Sequence, residues 1–199
     1  MKRMNTEEGF TGLEAAIVLI AFVVVAAVFS YVVLGAGFFT TQKAQEVVYT
    51  SVDQASSSVE ILGQVYGYGN TTVNPVKVDK IQFKVGLTAG GSPVDFSKTS
   101  LTMSTDKDVY RLNLKQESKV EDKDDIGLGE WGVIEIFNSN ANDLLLENQE
   151  QFVILATTKA DKKLEANQPF TLEIRPSVGA SYAISRKITP SISEVNVLN

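Results

Sequence analysis

The chain contains no cysteine and no histidine in 199 residues. The first absence rules out disulfides, thiol nucleophiles and thiolate metal sites. The second removes imidazole acid–base chemistry and the commonest zinc ligand. No GxxxxGK[ST] motif occurs, so no phosphate-cradling loop is present to draw energy from a nucleotide. No serine stands in a G-x-S-x-G setting either. Net charge is −6 and no run of Lys or Arg interrupts that balance, which argues against a nucleic-acid partner. A domain of this composition, if exported, must be held by core size or by self-association, since no disulfide can staple it.

Charge is also missing from one long stretch. Between Glu14 and Lys43 no side chain is charged, no proline occurs, and glycine is absent from Leu13 to Leu34. As a helix rising about 1.5 Å per residue, that gap spans roughly 40 Å, against ~30 Å for a hydrocarbon core. Val, Ala, Ile and Leu surround the whole circumference, so water meets no polar face, and such a helix must be buried in lipid or in protein.

The residues before the run are short and polar, with Lys2, Arg3, Glu7 and Glu8. A secretory signal has an apolar region of about 7–15 residues followed by its cleavage site. Here the run is longer, and the plausible processing point, Gly9-Phe10, precedes it. Cleavage there leaves the hydrophobic helix on the mature protein. The basic leader, Gly9 at the junction, Phe10 as the new first residue and Glu14 four residues on resemble the class III signal of type IV pilins and archaellins. The leader departs from that pattern in carrying Glu7-Glu8 where a basic residue usually stands.

Past Gly35 and Gly37 the pattern becomes amphipathic. Ala44, Val48, Val52, Ala55, Val59 and Leu62 recur at steps of four or three, a narrow apolar seam. One nearly continuous helix is expected to Leu62, and Gly35-Ala36-Gly37 reads equally as a bend, a close-packing contact or a tolerated pair. Gly63, Gly67 and Gly69 are expected to stop the helix and form a linker over residues 63–69. From Asn70 the period changes to two. Ile81, Phe83, Val85 and Leu87 alternate with polar residues, and strands are expected around 101–103, 109–114, 131–137, 152–155, 170–174 and 182–184. Roughly seven short strands with one buried face imply an α+β chain: a long N-terminal hydrophobic helix, then an antiparallel, immunoglobulin-like β-sandwich over residues 70–199. Trp131 reads as core.

Two further segments carry the resemblance. SPVDFSKTSLTMS runs from Ser92 to Ser104, and ANQPFTLEIRPSVGASYAISRKITPSI from Ala166 to Ile192. With the helix from Gly12 to Glu46, they resemble archaellins, the subunits of the archaeal swimming filament. The resemblance implies that residues 1–9 are a leader removed by a prepilin-type signal peptidase, that residues 10–62 form the filament core, and that the β-domain forms the outer sheath. It also implies passage through the membrane, self-assembly into an extracellular helical homopolymer and contact with the archaellum motor and platform. An adhesive type IV-like pilin and a membrane-anchored extracytoplasmic binding module stay open beside it. No enzyme activity is expected.

Glu14 is a carboxylate at the edge of an apolar helix, costly unless paired. Once Phe10 is a free amine, Glu14 lies one turn along and can pair with that amine or a neighbour's. In pilin-like proteins the matching residue helps dock incoming subunits; a favourable place in the helix N-terminal dipole is the alternative. Asn70-Thr71-Thr72 is the only N-x-[ST] sequon with an allowed middle residue, a glycosylation acceptor on an exported protein. Glu121, Asp122, Asp124 and Asp125 offer oxygen ligands for Ca²⁺ but lack the EF-hand spacing and read as a solvated loop. No metal ligand and no cofactor is assigned.

Overall fold

The computed structural model describes residues 6–72, 74–116, 118–139 and 142–198. Two compact units divide the chain near Thr50–Ser51. The first is helical. Helix α1 runs Thr6–Ser56, 51 residues or about 75 Å, without interruption at Gly35 or Gly37. Every residue described from Gly12 to Val52 is exposed, the large apolar side chains from 53% at Val18 to 81% at Tyr31. Thr40 and Thr41 return their hydroxyls to the carbonyls of Ala36 and Gly37, at 2.8 and 2.9 Å, so these polar groups are satisfied within the helix. Nothing lies within 4 Å of where a side chain on Gly35 or Gly37 would begin.

The second unit is all β. Its strands, among the described residues, are β1 (Val59–Ile61), β2 (Val65–Asn70), β3 (Lys77–Leu87), β4 (Val94–Asp95), β5 (Ser100–Thr105), β6 (Val109–Leu114), β7 (Glu130–Phe137), β8 (Leu145–Leu146), β9 (Gln151–Thr157), β10 (Pro169–Arg175), β11 (Tyr182–Lys187) and β12 (Val195–Leu198). The main path runs β11-β10-β5-β6-β7-β9-β3-β2-β12, with β1 also on β3 and a separate pair β4-β8. All ladders are antiparallel except β6 with β7, where only Asn113↔Glu130 and Leu114↔Trp131 pair. That short parallel seam joins two sheets, β11-β10-β5-β6 and β7-β9-β3-β2-β12. Leu101, Met103, Leu172 and Ile174 of the first and Ile81, Phe83, Phe152 and Ile154 of the second share one buried cluster, so the sheets face each other as a sandwich. Trp131 is buried at its centre, with Phe96 edge-on to it at 6.5 Å and to Phe152 at 5.5 Å.

Alternation accounts for most of these strands, and one bulge corrects it. Trp131 and Val133 point inward, and strict alternation would send Glu135 in after them. The register shifts between Val133 and Glu135, so Glu135 pairs with Val153 on the outer face and Ile136 packs on the core instead. Ile134 meets Val120, Ile126, Val153 and Leu155 in a second cluster on the outer face of β7 and β9. The charged loop after β6 folds over that face, held by Val120 N–H to the Val133 carbonyl at 2.7 Å. Val120 and Ile126 pin the loop to a small core, while the acidic side chains between them are exposed.

The expected helix end and linker both differ from the structure. The helix stops at Ser56, and Val59 and Ile61 are already a strand. The cause lies in the next two carbonyls: Ser57 accepts from Ala180 N–H at 3.1 Å, and Ser58 accepts from Thr88 N–H at 3.1 Å. Tertiary bonds thus claim backbone that a helix would have used. Residues 65–70 are not a linker but strand β2, end to end with β1 along β3, the jog between them made at Gly63 with φ 82°. Gly67 and Gly69 serve close approach. A side chain at Gly67 would press on Leu198, and one at Gly69 would overlap the Ser193 carbonyl.

Gly179 is the tightest of these approaches. It has φ 106°, and any Cβ would overlap the Ser57 carbonyl oxygen. Gly179→Ala is expected to destabilise the β-domain by about 3 kcal/mol or more, read by thermal or denaturant unfolding; a change under about 0.5 kcal/mol would refute the clamp. Tyr110 gives a pH-dependent test. Its hydroxyl is buried, and burial, opposed by the Lys159 backbone N–H, pushes its pKa up to about 12. The unfolded chain loses this proton near pH 10 and the folded one near 12, so stability falls as pH rises through that interval. Tyr110→Phe is expected to cost less than about 1 kcal/mol at pH 7 and to flatten the decline, as measured by urea unfolding at pH 8 to 11.5.

Candidate functional site

The residues singled out in the sequence fall into two separate places. Gly9 and Phe10 belong to the backbone of α1, and their side chains lie outside the described residues, as does the leader up to residue 5. Glu14 stands exposed on the same helix. Between it and the Lys43–Glu46 ion pair no charged side chain interrupts the apolar surface. The stretch Gly12–Val52 is long and apolar enough to cross a membrane, and none of it is buried by its own chain. Burying one large aliphatic or aromatic side chain is worth roughly 1.5–3 kcal/mol, and this helix exposes some twenty of them. The chemistry available here is apolar association, into lipid or against other helices.

Asn70 occupies a different setting from the one expected. It ends strand β2, half-buried, and its amide is held on both sides. Asn70 Oδ1 accepts from Thr72 N–H at 3.1 Å and from the Thr72 hydroxyl, while Nδ2 donates to Asp79 Oδ2 at 2.7 Å. Thr71 and Thr72 are exposed. Asp79 was invisible as a partner in the sequence, nine residues away across a hairpin with a register shift at Tyr68/Gly69.

Asn70 and Thr71 border a cleft of about 610 Å³ between the β2–β3 hairpin and the loop of residues 121–124. Tyr68 donates its hydroxyl to Gln82 Oε1 at 2.7 Å there, and burial raises its pKa, so it stays a neutral donor. The acidic residues do not converge. Asp122 caps the short 3₁₀ turn Lys123–Asp125, and Asp124 pairs with Lys80 at 2.9 Å, whose ammonium holds its carboxyl below the usual range. Among the described residues no three His, Cys, Asp or Glu side chains are grouped to hold a metal ion.

Comparison with known proteins places this architecture. The family model for archaeal-type flagellin matches residues 9–186. The chain belongs to the archaeal-type flagellin family. It is 44% identical to probable flagellin 1 of Archaeoglobus fulgidus, with all of this chain and 98% of the relative aligned. It is 30% identical to probable flagellin 1 of Aeropyrum pernix over 95% of this chain and 96% of that one. The structure of the archaeal flagellum of Methanospirillum hungatei superposes with a TM-score of 0.72 at 33% identity, covering 94% of this chain and 99% of that one. A crystal structure of a flagellin from Methanocaldococcus jannaschii shares the fold at 17% identity and a TM-score of 0.58, over 70% of this chain. For this archaellin, then, the helix followed by a sandwich is the family's architecture, and the resemblance seen in the helix and in the two later segments reflects membership.

Proposed function

We propose that this archaellin enters its filament through α1, after a prepilin-type signal peptidase cuts between Gly9 and Phe10. The chain is a structural subunit of an extracellular archaeal filament, as its family and the likeness to a flagellum subunit over nearly its full length indicate. The observation that carries the route is the unburied helix: its apolar surface finds no cover in its own chain and so needs lipid first and other helices afterwards. A polymer built this way grows by heterologous, non-closing contacts. Helices pack as the core, and β-domains form the sheath.

In this reading Glu14 is the assembly residue. Its carboxylate sits where the helix leaves charge behind, and inside a helix bundle it needs a cation. The Phe10 amine, its own or a neighbour's, is the nearest group that supplies one. Asn70 is the glycosylation acceptor of the sheath domain, set on a strand end beside an exposed Thr71-Thr72 turn. Beyond self-association the partners are the peptidase, the membrane before assembly, and the motor and platform at the filament base. A role as a mere membrane tether leaves the exposed helix surface beyond the hydrocarbon zone unexplained.

Intact mass of the protein from sheared filaments is expected to begin at Phe10; a mass that retains residues 1–9 would return α1 to an uncleaved anchor. Glu14→Ala is expected to lower sedimentable filament by about tenfold, equivalent to ~1.4 kcal/mol per docking step, with membrane-bound subunit unchanged. Filament at the normal level in that variant would assign Glu14 to the helix dipole alone. Absence of sedimentable polymer from cells making the unaltered chain would sink the filament reading itself.

A further inference from the structure

The Asn70 amide is fixed at the edge of an open cleft whose lining resembles neither a metal site nor an apolar pocket. One Nδ2 hydrogen is committed to Asp79 at 2.7 Å, and Oδ1 is committed to Thr72. A glycosylated asparagine keeps one N–H. That remaining N–H is still a donor for Asp79 once a sugar has replaced the other hydrogen. The linkage begins at the cleft rim in a fixed orientation, not on a free tether.

The cleft offers what a saccharide needs. Gln82, Asp79 and Asp122 present planar polar groups, and Tyr68 adds an aromatic ring with a neutral hydroxyl. Sugar hydroxyls are donors and acceptors at once, and such side chains bind them in both senses. The ring also gives the apolar C–H face of a pyranose a surface to lie on. At about 610 Å³ the space exceeds one monosaccharide, and it opens between the hairpin that carries Asn70 and the loop that covers the second core.

We propose that the first sugars of the Asn70 glycan lie in this cleft, folded against Tyr68 and Gln82 and bridging the β2–β3 hairpin to the loop of residues 121–124. The inference rests on Asn70 being glycosylated and adds where the glycan goes and what it does. It makes the modification part of the domain's outer layer, and it predicts that the loop depends on the sugar for its order.

The test uses filaments of the full chain and amide hydrogen exchange followed by mass spectrometry. Two variants remove the sequon by different routes. Asn70→Gln alters the acceptor and its bond to Asp79, whereas Thr72→Val keeps Asn70, its bond to Asp79 and the Thr72 N–H bond, and gives up only the Thr72 hydroxyl. Glycan loss in both is expected to speed exchange across residues 120–126 by about tenfold or more, and by similar factors in the two. Gln82→Ala, which keeps the sequon and the glycan, is expected to speed exchange in the same loop by several-fold. Faster exchange in Asn70→Gln alone would assign the loop's order to the Asn70–Asp79 bond and overturn the proposal. So would unchanged exchange in Thr72→Val. A bare Asn70 peptide from unaltered filaments removes the glycosylation reading together with this one, while a glycan present with no effect on exchange removes only this one.

Discussion

A helix of 51 residues, uncharged from Ala15 to Gln42 and exposed from Gly12 to Val52, is the constraint on which this molecule turns. Folding cannot satisfy it. The β-domain closes its own core around Trp131, Phe96 and Phe152. The largest hydrophobic term in the chain is therefore available only between molecules or between molecule and lipid. Free monomer in water is the one state the sequence disfavours at every step. That is the physical content of being a filament subunit, and it holds whatever the details of subunit stacking.

The two units divide labour along the same line. In the helix unit, Thr40 and Thr41 bond back to Ala36 and Gly37, so these two hydroxyls do not obstruct packing by a neighbour. In the β unit, ion pairs such as Lys80–Asp124, Lys77–Glu165 and Lys162–Asp108 dress the surface. Exposed pairs of this kind add little stability, typically under about 1 kcal/mol each, but they keep the domain soluble while the helix is not.

The helix and the strands with clean alternation were legible in the chain, because an uncharged run and a period of two are local signals. Ile81-Phe83-Val85 and Phe170-Leu172-Ile174 are both buried on the same side, as their spacing implies. The helix end was not legible: Val59 and Leu62 fit steps of three and four as well as Val59 and Ile61 fit a step of two. What decides is Ala180, 123 residues beyond Ser57, and Thr88, 30 residues beyond Ser58. The glycines misled for a related reason. Gly67 and Gly69 read as punctuation, yet they are spaces reserved for Leu198 and Ser193, which arrive from the far end of the chain. β12 has four residues and β4 and β8 have two each, too short for any pattern. Glu14 and Asn70 could be picked out as residue types, but Asp79 beside Asn70 required the register of a bulged hairpin.

The two carbonyls that end the helix have a mechanical meaning. Ser57 is bonded to the β10–β11 connection and Ser58 to the end of β3, so successive peptide units are anchored in opposite sheets. Beyond them β1 runs antiparallel to β3. Tension arriving along the chain at this point is split between both halves of the sandwich before it reaches the β1–β3 ladder. A pull on the chain at Ser57 and Ser58 is thus met at once by bonds to both sheets of the β-domain.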